Sequence, residues 1–166
     1  MNFSHIDTSL ARIWDHGWFD TSRFSVLEIN GDSPVAILSE FTASSHFARS
    51  FCESHDPWGK AIDRHGPFLL DHFKCEWYTE ISVAELQSTL HETIQSYDFE
   101  PKLNDEQTAT IDNWANSLGI CNAWRLHAPY DESIRVDFAH IWWAFDEFVV
   151  YNADSSELSV AVIGFD

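Results

Sequence analysis

Basic residues are scarce in this chain: nine lysines and arginines stand against twenty-seven aspartates and glutamates, a formal net charge of −18. A surface this poor in cations repels phosphate backbones and anionic lipid headgroups, which excludes nucleic acid and membrane surfaces as partners. Cysteine is nearly absent too. Cys52, Cys75 and Cys121 are odd in number and widely spaced, which excludes a secreted disulfide framework and a paired CxxC zinc site and leaves reduced, mostly buried thiols. The six glycines are scattered, so the closely spaced glycine loops that cradle phosphates are missing. No apolar run approaches the roughly 20 residues of a membrane-spanning helix. The start Met1-Asn2-Phe3-Ser4-His5-Ile6-Asp7 lacks the basic-then-apolar order of a signal peptide, so a cytosolic protein is expected. With no repeat, low-complexity tract or linker, residues 1–166 read as a single domain.

Apolar residues, by contrast, are plentiful. The chain is 45% hydrophobic and carries eight tryptophans and thirteen phenylalanines, so the charge must lie outside a packed core rather than mark disorder. A domain of this length buries roughly 70% of its unfolded-chain surface, enough for a core without metal or disulfide staples.

Ile6, Leu10, Ile13 and Trp14 recur at helical spacing behind Asp7, with Gly17 placed to end a short helix. Phe24–Ile29 and Val35–Leu38 flank Asn30-Gly31 and read as a hairpin, its second strand confined to an edge by Pro34. Phe41, Ala48, Phe51 and Cys52 suggest a helix over 39–52, and Asp56-Pro57 opens another that Gly66-Pro67 stops. From Phe73 the period becomes two: Phe73, Cys75, Trp77, Thr79 and Ile81 alternate with Lys74, Glu76, Tyr78 and Glu80, as in a half-buried strand. Ser82-Val83-Ala84-Glu85 is a capping box ahead of Leu86, Leu90, Ile94 and Tyr97, predicting a helix over 83–97. A second helix over 105–118 is predicted from the Asn104 cap, Gln107, the inward Ile111, Trp114 and Leu118, and Gly119 beyond the end. The last third reads as strands: short ones at 120–127 and 134–138, then 141–151 and 158–165 paired through Asn152–Glu157 as a terminal hairpin. The expected class is α+β, an antiparallel sheet dominated by C-terminal hairpins with helices packed on one face.

Catalytic signatures are few. His55-Asp56, with His46, Asp63, His65 and His72 nearby, invites a metal-dependent hydrolase over 46–72, but HExxH, DxDxDG and paired CxxC spacings are all missing. Asp56 also serves as a cap beside Pro57. No GxSxG elbow occurs, and Cys52 and Cys75 fall on core faces, where thiols are inert. The expectation is therefore no catalytic residue, no metal and no cofactor. Adjacent acids such as Asp131-Glu132 are too common here to signal a glycosidase. The informative stretch is Asp137-Phe138-Ala139-His140-Ile141-Trp142-Trp143-Ala144-Phe145-Asp146-Glu147-Phe148, where carboxylates alternate with large aromatics. That is the composition of a contact patch for a basic protein, with Asp137, Trp142, Trp143, Asp146 and Glu147 as its residues. Because Trp142 and Trp143 are adjacent, a strand sends them to opposite faces. A second acidic candidate is the connection carrying Asp98, Glu100, Asp105 and Glu106.

In size, charge, tryptophan-rich mixed α/β pattern and the ending Glu147-Phe148-Val149-Val150-Tyr151 through Leu158–Asp166, the chain resembles small acidic bacterial immunity proteins. The resemblance implies a stoichiometric inhibitor that neutralises a cognate, basic toxin, often a nuclease, through acidic and aromatic contacts. It carries over no individual residue. The alternatives are the metal-dependent hydrolase of 46–72 and a protein that mimics DNA by presenting carboxylates at phosphate-like spacing.

Overall fold

The structure, a computed structural model, describes residues 2–14, 17–27, 33–49, 51, 63–96, 102–135 and 144–165. Strands β1 (Asn2–Trp14), β2 (Gly17–Leu27), β5 (Tyr78–Ile81), β6 (Asn122–Leu126), β7 (Ala144–Asn152) and β8 (Glu157–Phe165) form one antiparallel sheet in the order β1-β2-β8-β7-β6-β5. A small hairpin, β3 (Arg64–His65) and β4 (Phe68–Leu69), stands apart from it. Helices α1 (Pro34–Thr42), α2 (Val83–Ser96) and α3 (Asp105–Ser117) complete an α+β fold.

The C-terminal hairpin forms as its alternating sequence requires. β7 and β8 pair from Ala144↔Phe165 to Asn152↔Glu157, and β8 then pairs with β2, so the hairpin lies at the centre of the sheet. A central strand is buried on both faces. Val160 and Val162 enter one core with Trp18, Phe24, Trp124 and Val149, while Ala161, Ile163 and Phe165 enter a second with Leu86, Leu90, Ile111 and Phe148. The long helices share the second face. Their capping boxes are both present: Glu85 N donates to Ser82 Oγ at 3.1 Å while Ser82 N donates to the Glu85 carboxylate at 2.7 Å, and Asn104 and Gln107 exchange the equivalent pair. Leu86, Leu90, Ile111 and Leu118 are buried, with Ile94 and Trp114 packed beside them. The first face is covered by α1, through Ile37, Leu38 and Phe41, together with the chain that follows it and the β3–β4 hairpin.

The N-terminal segment differs from its helical expectation. Ile6, Leu10 and Ile13 lie on β1, and Asp7 is no helix cap but a cross-strand partner of Arg23, their closest N–O distance being 2.5 Å. Intervals of four and three fit a helix and not strand alternation, and pairing with β2 overrode that local pattern, leaving Ile6 and Leu10 on a different footing from Ile13. Ile13 is fully buried, whereas Ile6 and Leu10 stay exposed on the outermost strand, and register shifts fall at His5/Asp7 and Arg12/Trp14.

The expected second strand at Val35–Leu38 is α1 instead. Ser33 Oγ caps it by accepting from Ala36 N, and Pro34 takes the first helical turn, where a missing N–H costs nothing. That helix ends at Thr42, well short of the expected 39–52 span. The strand expected from Phe73 begins only at Tyr78, because Cys75–Trp77 form a 3-10 turn. Glu132–Ile134 form another such turn rather than the start of a strand. The proposed turn at Asn30-Gly31, the Asp56-Pro57 cap, Cys52 and Tyr97 lie outside the described residues. Among the described residues no helix is long and apolar enough to cross a membrane.

Candidate functional site

Strand alternation separates the acidic pair of β7. Asp146 points toward the α2–α3 side, half-buried, and accepts from Arg125 Nη2 at 2.8 Å. Glu147 points the other way and is wholly buried. It therefore leaves the expected contact surface, since a group with no exposure cannot touch a partner. Asp105 and Glu106 are exposed in the first turn of α3. Asp98, Glu100, Asp137, Trp142 and Trp143 lie outside the described residues.

What surrounds Glu147 was not anticipated from the sequence. Tyr78 Oη donates to its Oε1 at 2.5 Å, and His65 Nε2 lies 2.5 Å from its Oε2. The other ring nitrogen of His65, Nδ1, is 2.5 Å from the Phe47 carbonyl, which can only accept, so Nδ1 carries a proton. The imidazole stacks on Phe47 with centroids 3.6 Å apart and planes 5° from parallel, and the edges of Phe51, Phe73 and Phe145 surround it. Burial, with the Glu147 carboxylate beside it, pushes the Tyr78 hydroxyl well above its ordinary range.

A second buried polar group continues the same row. Asp20 and Glu147 both register with Val162, on either side of β8. Arg49, arriving from the chain after α1, reaches Asp20 at 3.1 Å, donates to the Ser22 hydroxyl and lies 4.4 Å above the Phe51 ring. Burial raises the Asp20 carboxyl above the usual aspartate range against the opposing pull of Arg49, and the charge of Glu147 works in the same direction as burial. Both polar groups tie Phe47, Arg49, Phe51 and the β3–β4 hairpin onto the sheet. His, Glu and Tyr would suit acid–base chemistry, but here both ring nitrogens of His65 are occupied, His65 and Glu147 are 1% and 0% exposed, and the Tyr78 hydroxyl is spent on Glu147. The arrangement is a structural lock.

The residues of the metal reading are dispersed. His65 belongs to the lock, His46 lies against Phe24, Asp63 is paired with Arg64 at 2.8 Å, and His72 is exposed in the 3-10 turn Leu70–His72. Among the described residues no group of three or more His, Cys, Asp or Glu could hold a metal ion. His55 and Asp56 lie outside them. Cys75 is half-buried, and burial raises its thiol, with hydrogen bonds to Thr42 and Ser39 acting the other way.

The outer surface is the other candidate. Arginines pair with acids of their own chain, Arg23 with Asp7 at the surface, Arg49 with Asp20, Arg64 with Asp63 and Arg125 with Asp146, and Arg135 lies over the ring of Phe68. Glu76, Glu80, Glu92, Asp105, Glu106 and Asp154 meanwhile face solvent. Between α1 and β5 the surface dips into an open recess of about 300 Å³, its apolar walls including Val35, Leu38 and Trp124, with Glu76 and Glu80 beside them.

No family model matches the chain, and no curated protein matches it. Among solved structures, citrus MAF1 is similar over 96% of this chain and 91% of its own, with 9% identity and a TM-score of 0.40. A likeness at that level carries no functional argument.

Proposed function

We propose that this is a non-enzymatic binding protein that recognises a basic protein, and that it acts as an immunity protein neutralising a cognate toxin in the cytoplasm. The observation that carries the reading is the disposition of charge. The chain has an excess of eighteen acids, and Arg23, Arg49, Arg64 and Arg125 are each paired with an aspartate of their own chain. The acids in excess of those pairs give an anionic field that speeds encounter with a cationic surface. Such a field costs self-repulsion, a cost offset when a basic partner docks.

Affinity purification from the native organism, identification of the bound protein and stopped-flow mixing of the pure pair test the proposal. Association with a basic toxin should slow steeply as salt rises, because exposed charges are screened beyond about 8 Å at physiological ionic strength. A partner without a basic surface, or a rate independent of salt, overturns it.

A further inference from the structure

We propose that the recess between α1 and β5 receives a lysine or arginine side chain from an extended segment of the basic partner; this rests on the reading above. The recess is amphipathic in the way such a side chain is. Val35, 55% exposed on α1, forms an apolar wall with Leu38, and Trp124 lies on the sheet side. A long methylene stem packs on surfaces of this kind while its charged head stays at the rim. At the rim Glu76 and Glu80 are both exposed, and Asn122 Nδ2 donates to Glu80 Oε1 at 3.4 Å from the neighbouring strand. A recess of about 300 Å³ is at the small end of ligand sites, suited to one side chain rather than a cofactor.

The backbone beside the recess points to an extended segment. His127 N donates to Trp77 O at 2.7 Å, which makes 77 and 127 a hydrogen-bonded antiparallel pair. Bonded and non-bonded pairs alternate along such a ladder. Thr79↔Arg125 and Ile81↔Ala123 are therefore bonded, whereas Tyr78 and Glu80 aim their backbone groups away from β6. Among the described residues β5 is the last strand of the sheet on this side; Tyr78 N donates to Cys75 O within the 3-10 turn, which leaves the Tyr78 carbonyl and the backbone groups of Glu80 along the outer edge. A strand added there would run beside the recess, its main chain supplying affinity and one cationic side chain supplying specificity. Charge complementarity selects the occupant: a second copy of this chain, at −18, would bring acids against Glu76 and Glu80.

The test uses the full chain and two capped peptides, acetyl-Val-Arg-Val-amide and its neutral citrulline counterpart, followed by amide NMR shifts. The arginine peptide should saturate, with the largest shifts at Val35, Leu38, Glu76, Glu80 and the Trp124 indole, and the citrulline peptide should bind at least tenfold more weakly. Glu76→Gln with Glu80→Gln should weaken the arginine peptide at least tenfold; the control pair Glu92→Gln with Asp154→Asn removes the same charge and should change it less than twofold. Shifts scattered over the acidic surface, or equal weakening by the two pairs, overturn the proposal. The partner, once purified, separates the two readings. If it binds the Glu76→Gln, Glu80→Gln protein with unchanged affinity and still slows with salt, the recess is the wrong site and the basic-partner reading stands. A non-basic partner removes that reading and the occupant proposed here, even if the peptide binds.

Discussion

Tyr78, His65 and Glu147 come from three separate parts of the chain, and each satisfies a polar atom that burial would otherwise leave costly. Tyr78→Phe keeps the ring and removes the donor to Glu147 Oε1, so urea unfolding should show a loss of about 1–3 kcal/mol. His65→Ala removes the whole partner and opens a cavity among aromatic rings; the loss should be larger, about 3–5 kcal/mol, as when one member of a buried pair is deleted. Equal small losses for both would mean that water enters and replaces the contacts. Gly164 makes a different kind of residue-scale prediction. A Cβ there would sit 2.6 Å from Trp18 Cζ2 on the next strand, inside the core. Gly164→Ala should therefore destabilise by about 1–3 kcal/mol through overpacking, measured in the same unfolding assay. Neither feature was anticipated. Asp146-Glu147 looks like one acidic patch in sequence, and only the side on which the pleat falls makes one acid an ion-pair partner and the other a core residue. A usable signal was present, since Glu147 shares its strand face with Phe145, Val149 and Tyr151.

At the scale of elements, local chemistry succeeded where it was strong. The α2 and α3 starts are specified by capping boxes that need no tertiary help, and both helices begin where those boxes place them. Ser82→Ala removes the acceptor for Glu85 N, and the melting midpoint should fall by the equivalent of about 0.5–2 kcal/mol. Where local signals were ambiguous they failed. Ile6, Leu10 and Ile13 fit a helix on paper, but β2 offered an antiparallel partner, and the segment formed the thirteen-residue strand β1 with register shifts at Ile6 and Ile13. Pro34 is compatible with an edge strand and with the first turn of a helix; Ser33 in front of it tips the balance to the helix.

For the whole molecule the dominant quantity is charge. At −18 the folded chain repels itself, so added sodium chloride should raise the melting temperature as the repulsion is screened. A melting temperature that falls or stays flat from low to physiological salt would mean that the ion pairs such as Arg49–Asp20 and Arg125–Asp146 outweigh the repulsion. The α+β class, the two capped helices, the terminal hairpin and the anionic surface were all determined by sequence alone, because each depends on composition or on contacts within a few residues. Tertiary structure decided the rest. Placing β8 between β7 and β2 gave the sheet two covered faces, turned Glu147 inward to meet His65 and Tyr78, and set α1 beside the 3-10 turn that leads into β5, so that Glu76 and Glu80 border an apolar recess. Those contacts join residues far apart in the chain, and no periodicity or spacing encodes a pairing whose partners are chosen by the packing of the whole.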